Sequence, residues 1–234
     1  MLIFSHRANN PLYTYYLNSL PVPVSNSLRD LGVDLDPMLR FNNHINAISS
    51  KAQSRVGIIF RSFVTKDIRL LKLAYTTFVR PLLEYNSAIR SLHLHKHIFV
   101  IENVQRYFTR RIYSLRDLSY STLLAILDLE PLDLRRLRMD LSLCYKIINN
   151  LTCLNPDEYF TKTSPSGLST HSSHTHTLYK PFVRSSVYSN HFVIRHIDTW
   201  NALPTSVINA PSLNSFKNLL KQHDLSPHLI ADYT

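Results

Sequence analysis

From Phe41 onward, apolar side chains return every three or four residues, and before Phe41 they do not. Phe41, Ile45, Ile48, Ala52, Val56, Ile59, Phe60 and Phe63 share one stripe of a helix, whereas a strand pattern would alternate by two. Asn42 or Asn43 is a candidate cap for its start and Thr65 for the start of the next helix. That second helix carries Ile68, Leu71, Ala74, Tyr75, Phe78 and Val79 inward. Pro81 should end or kink it, because proline lacks a backbone donor and clashes with the preceding turn. A third helix fits 98–113, with Ile101, Val104, Gln105, Phe108 and Ile112 inward. A short one fits 121–127, with Ser119 or Tyr120 near its start. Pro131 then opens a helix whose face is Leu134, Leu137, Leu141, Cys144, Tyr145 and Ile148, ended by Asn149 and Asn150.

The first forty residues read as short strands at 2–5, 13–17, 22–24 and 28–35, separated by Asn, Pro and Ser. A small antiparallel sheet is their natural assembly, and its apolar face would need cover from elsewhere. Residues 161–177 are rich in Ser, Thr and His, without period, and read as a loop. Two helices should close the chain, at 190–202 and at 213–222, the latter capped by Ser212. Trp200, Leu203, Phe216 and Leu219 read as anchors that dock them. The fold class expected is α+β, a small N-terminal antiparallel sheet followed by a mainly α-helical bundle. The divisions expected are 1–36, 37–150 and 151–234.

Charge is placed unevenly along this pattern. The chain carries a formal net charge of +10, yet residues 1–50 hold 3 basic and 3 acidic side chains, and residues 147–234 hold 6 and 5. Residues 51–146 hold 17 basic against 8 acidic, so the excess lies on the segments that read as helices. Most of those cations fall off the apolar stripes: Lys51, Arg55 and Arg61 on the first helix, Lys66, Arg69 and Lys72 around the second. Arg106, Arg110 and Arg111 follow on the third, and Arg135, Arg136 and Arg138 on the helix after Pro131. With Tyr107 and Tyr113 nearby, this pattern suits contact with the phosphate backbone of a nucleic acid, without base readout.

Enzyme chemistry finds little support. Asp34 and Asp36 form the sole Asp-x-Asp and could share a strand face, but a strand end and a cap explain them better than a metal pair. His93, His95 and His97, and His171, His174 and His176, lie in expected loops without the cysteines or carboxylates that fix a zinc site. Cys144 and Cys153 have no metal-ligand spacing. There is no Walker loop, HExxH, nucleophile elbow or dinucleotide fingerprint. No apolar run approaches the roughly 20 residues of a membrane span, and the N-terminus lacks the pattern of a signal peptide. The expected setting is intracellular, nuclear or cytoplasmic.

Six strings in order carry a resemblance: LRDLGVDLDPMLRFNNHI at 28–45, YTTFVRPLLEYNS at 75–87, IENVQRYFTRRI at 101–112, LDLRRLRMDLSLCYKII at 132–148, TWNALPTSVINAPSLNSFKNLL at 199–220, and more weakly Phe192 and Arg195 within HFVIRHIDTW at 191–200. Together they resemble the region after the catalytic site in LINE-like, non-LTR reverse transcriptases of the jockey type. The resemblance implies that 1–36 are distal palm strands, 37–150 a helical thumb and 151–234 a C-terminal extension. It also implies an RNA-directed DNA polymerase whose Tyr-x-Asp-Asp carboxylates, palm and fingers lie upstream of this chain. These residues alone should then be inactive. The expected partner is RNA or an RNA–DNA duplex, held weakly, with no small-molecule substrate, no membrane and no cofactor, although the intact polymerase would use Mg. The chain departs from the family near Arg90, where a tryptophan is usual, and in its Ser/His-rich 163–177 stretch. Two other readings compete: a captured non-catalytic nucleic-acid-binding or helical adaptor protein, and a non-functional gene remnant.

Overall fold

The computed structural model describes residues 2–4, 14–64, 67–90, 94–112, 117–163, 176–184 and 186–229. Lys66, Thr65, Tyr113, His93, His171, His174 and most of the expected polar loop lie outside them. The chain divides into two compact units: residues 1–86 with 99–118, and residues 87–98 with 119–234.

Unit 1 opens with two separate antiparallel hairpins. Strands β1 (Tyr16–Leu17) and β2 (Leu20–Pro21) form the first, β3 (Leu28–Asp30) and β4 (Val33–Leu35) the second. The α+β expectation holds, but the strand positions differ. Residues 2–4 and 22–24 are not strands, and 28–35, expected as one strand, folds back on itself. The cause is Leu31-Gly32, both at positive φ (44° and 83°), which closes a tight turn whose twist suits a two-residue hairpin. Glycine adopts that backbone freely, and leucine does not.

Asp36 follows β4 and organises the entry to α1 (Asn42–Ser62): its carboxylate accepts the backbone N–H groups of Met38, Arg40 and Phe41 at 2.9, 3.1 and 3.1 Å. Neither Asn42 nor Asn43 caps the helix. Phe41 occupies the N-cap at φ 56° with no side-chain hydrogen bond, its ring buried. Ile45, Ala52, Val56 and Ile59 form the buried stripe anticipated from their spacing. Helix α2 (Ile68–Phe78) is capped by Asp67, which accepts from Arg69 N at 2.8 Å. Pro81 lies in the first turn of α3 (Arg80–Glu84), where its missing N–H costs nothing. Helix α4 (His95–Arg110) contributes its residues from Phe99 onward to unit 1. There Phe108 stacks on Tyr75 at 4.3 Å, and Tyr75 donates its hydroxyl to the side-chain oxygen of Gln105 at 3.0 Å.

Unit 2 is built on α5 (Tyr120–Leu127) and α6 (Leu132–Ile148), then the short helices α7 (Pro156–Tyr159), α8 (Ser186–Ser189), α9 (Phe192–Arg195), α10 (Ile197–Asn201) and α11 (Thr205–Ile208), and finally α12 (Leu213–Gln222). Ser119 caps α5 and Ser212 caps α12, each accepting an N–H three residues on. The core joins α6, α10, α11 and α12. Tyr145 stacks on Phe216 at 4.4 Å and donates to the carbonyl of Ala210 at 2.6 Å. Trp200 is wholly buried and its indole N–H donates to the carbonyl of His176 at 3.0 Å. Of the expected anchors, Leu219 is half-buried and its neighbour Leu220 fills the core, because Phe216 and Leu220 stand four residues apart on one face. The helix expected at 190–202 is interrupted at His196 (φ −104°, ψ −1°), which separates α9 from α10.

Candidate nucleic-acid interface

In unit 1 the expected basic residues divide by exposure. Lys51 and Arg61 on α1, Arg69 on α2, and Arg110 and Arg111 at the end of α4 are exposed, with no acidic partner among the described residues. The helix stripes explain this, since each lies opposite or beside a buried apolar position. Arg55, Lys72 and Arg106 are half-buried, and Arg55 donates to the carbonyl of Phe78 at 2.9 Å. Arg111 is held in place. Its guanidinium lies 5.0 Å from the centre of the Phe60 ring and 5.2 Å from that of Tyr107, and it donates to the Tyr107 hydroxyl at 2.6 Å. Phe60 also meets Phe108 at 5.7 Å, so the C-terminal ends of α1 and α4 are joined through aromatic rings beside Arg61, Arg110 and Arg111. Such an end offers planar donors for phosphate and ring faces for a base.

The Asp-x-Asp carboxylates both make contacts within the fold. Asp34 pairs across the hairpin with Arg29 (3.9 Å), its backbone N–H donates to Nδ1 of the buried His44 (3.3 Å), and Asp36 holds the turn before α1. Glu84 pairs with Arg80 one turn away, while Glu102 is buried and accepts from Gln105.

In unit 2 the expected cations are embedded. Arg135 and Arg138 both meet the carboxylate of Glu130, and Arg138 also donates to the carbonyl of Lys221 at 3.2 Å. Arg136 is half-buried near Arg90. Arg90 is wholly buried; burial, and then the charge of Arg136, push its pKa down to about 10. The same unit holds a charged cluster that the sequence did not announce. Oδ2 of Asp140 accepts from Arg195 at 3.0 Å and lies 2.9 Å from Nε2 of His196, which is itself 2.8 Å from Nε of Arg195. With its proton on Nε2, His196 donates to Asp140; in the other neutral tautomer Nε2 accepts from Arg195. Burial holds His196 below its ordinary pKa despite Asp140. Burial alone would raise Asp140, but the bond from His196 and the charges of His196, Arg195 and Arg136 carry it below the usual carboxylate range. Arg195 also donates to the carbonyl of Ala88 at 3.2 Å, so the cluster ties α6 and α9 to the segment after Asn86.

A groove of about 380 Å³ lies between α6 and α12. Met139, Leu143 and Leu220 contribute its apolar lining, and Lys146, Lys217 and Lys221 join Arg135 and Arg138 around it. Reasoning from buried stripes misses these three lysines. The available signal was Met139 and Leu143, two apolar residues four apart on α6 but outside the stripe expected to be buried, bracketed by Arg135 and Lys146.

No protein-family model matches the chain, and no solved structure matches it. It is similar to an uncharacterized protein of Caenorhabditis elegans, 24% identical over 158 residues, which cover 62% of this chain and 80% of that one.

Proposed function

We propose that the chain is the post-catalytic part of a LINE-like reverse transcriptase, and that the basic helices of unit 1 contact the backbone of RNA or an RNA–DNA duplex. The ordered strings between Leu28 and Leu220 support the ancestry. The binding reading rests on one observation: Lys51, Arg61, Arg69, Arg110 and Arg111 are exposed and lack acidic partners among the described residues. Exposed cations of this kind release counterions from a polynucleotide, which makes affinity fall steeply with salt. The aromatic seat of Arg111 adds a preorganised guanidinium and a ring for stacking. Catalysis has no place in the reading, because the sequence contains no Tyr-x-Asp-Asp and its single Asp-x-Asp is committed to a hairpin and a turn.

The test is a salt titration of single-stranded RNA binding by the full chain and by an Arg61→Ala, Arg110→Ala, Arg111→Ala variant. The log–log slope should fall by about 0.7 for each phosphate that is no longer neutralised, with weaker binding to every RNA sequence alike. An unchanged affinity and slope would overturn the binding reading. Template-directed DNA synthesis by the purified chain with magnesium would overturn the non-catalytic one.

A further inference from the structure

The groove between α6 and α12 belongs to unit 2, whereas the nucleic-acid reading rests on exposed cations of unit 1. Along α6, Arg135, Met139, Leu143 and Lys146 fall at intervals of four, four and three, so they stand on one face over three turns, about 16 Å at 1.5 Å per residue. Across from them α12 presents Lys217 and Lys221, while Leu220 is buried in the core. The two helices run antiparallel, because Tyr145 meets Phe216 while Arg138, two turns earlier on α6, meets the carbonyl of Lys221. The result is a lengthwise apolar seam with cations along both edges.

The edges are unevenly neutralised. Arg135 and Arg138 share Glu130, whereas Lys146, Lys217 and Lys221 have no acidic partner among the described residues. An occupant must therefore be anionic along its flanks and apolar along its centre. A polynucleotide fits poorly: among the described residues no aromatic side chain lines the groove for base stacking, and the apolar lining has nothing to meet in a phosphate chain. A helix with leucine-like side chains in its seam and carboxylates on its flanks satisfies each feature, as charged flanking positions do in paired helices.

We propose that this groove binds an acidic amphipathic helix, about three turns long, from a protein partner. Its apolar side chains pack against Met139 and Leu143, and its carboxylates pair with Lys146, Lys217 and Lys221. The probe is a fluorescein-labelled peptide of about 16 residues with leucine at helical spacing and glutamate on both flanks, followed by anisotropy with the full chain. It should bind saturably, more weakly as salt rises. A Lys217→Glu, Lys221→Glu variant should bind at least about tenfold more weakly and should gain binding to the same peptide with lysine in place of glutamate. Both lysines are exposed, so the variant should keep the wild-type melting curve; should it not, Lys221→Glu alone carries the same comparison. Charge-swapped binding is the readout that a merely structural role would not move. The proposal fails if the peptide does not bind, if a scrambled peptide of the same composition binds equally, if the charge variant leaves affinity unchanged, or if a uridine 15-mer displaces the peptide through these same lysines.

Discussion

The hydroxyl of Tyr85 donates to the carbonyl of Leu31 at 2.9 Å, joining the end of α3 to the turn of a hairpin 54 residues earlier. Leu31 holds a left-handed backbone that leucine rarely adopts, and Gly32 beside it has φ 83°. A Cβ added at Gly32 would stand 3.6 Å from the Tyr85 ring, an ordinary van der Waals contact.

Tyr85→Phe should therefore lower stability by about 1 kcal/mol, the ordinary value of one hydrogen bond. Gly32→Ala should cost about 1–2 kcal/mol through backbone strain alone, since its Cβ meets no clash. Denaturant midpoints of the two variants check both. Equal stability of wild type and Gly32→Ala would remove the strain argument.

Asp36→Ala leaves three backbone N–H groups before α1 without their acceptor, and should cost about 1–2 kcal/mol. The loss should be the same with and without magnesium. A magnesium-dependent melting temperature that Asp36→Ala abolishes would restore the metal reading of Asp34 and Asp36.

The Asp140–His196 pair makes stability depend on pH. His196 is held below its ordinary value of 6.5, so below pH 6.5 the unfolded chain takes up a proton that the folded chain resists, and stability falls with pH. Asp140 is held below 3.8, so its contribution is present above that pH and is lost on further acidification. Both run the same way. Urea midpoints should drop between pH 7.5 and pH 5, and His196→Gln should flatten that drop. Asp140→Ala, which leaves Arg195 without its carboxylate, should cost about 3–5 kcal/mol.

Arg90 tests the resemblance. It lies near the position at which the proposed family carries tryptophan, and its side chain is wholly buried. Arg90→Trp should fold and be more stable than Arg90→Ala by about 2 kcal/mol, because both remove the buried cation but only tryptophan fills the space it leaves. Thermal melts of both variants decide it. An Arg90→Trp chain less stable than Arg90→Ala would count against the proposed ancestry at this site.

Helix boundaries were legible where local physics decides them. Ser212 begins its helix as anticipated, and Ser119, one of two expected candidates, begins the other, because a serine side chain accepting a backbone N–H is a local event. The Ile45–Ile59 stripe was equally plain. Features that depend on distant partners were not. Asp36, rather than Asn42 or Asn43, serves the start of α1 from outside the helix. The 28–35 run conceals a hairpin because nothing local marks Leu31 as left-handed. The break at His196 coincides with its contact to Asp140, 56 residues away. The exposed cations of unit 1 were visible as positions off the stripes, but the fastening of Arg135 and Arg138 to Glu130 needed the turn before α6 to be in place.

The two cysteines sit in opposite circumstances: Cys153 is exposed, while Cys144 is buried and its thiol is pushed far above the usual range by that burial and by Asp140. A maleimide applied to the native chain should thus mark Cys153 at once and reach Cys144 only when α6 parts from its neighbours. The rate of that second labelling clocks spontaneous opening in this half of the protein, with no engineered reporter.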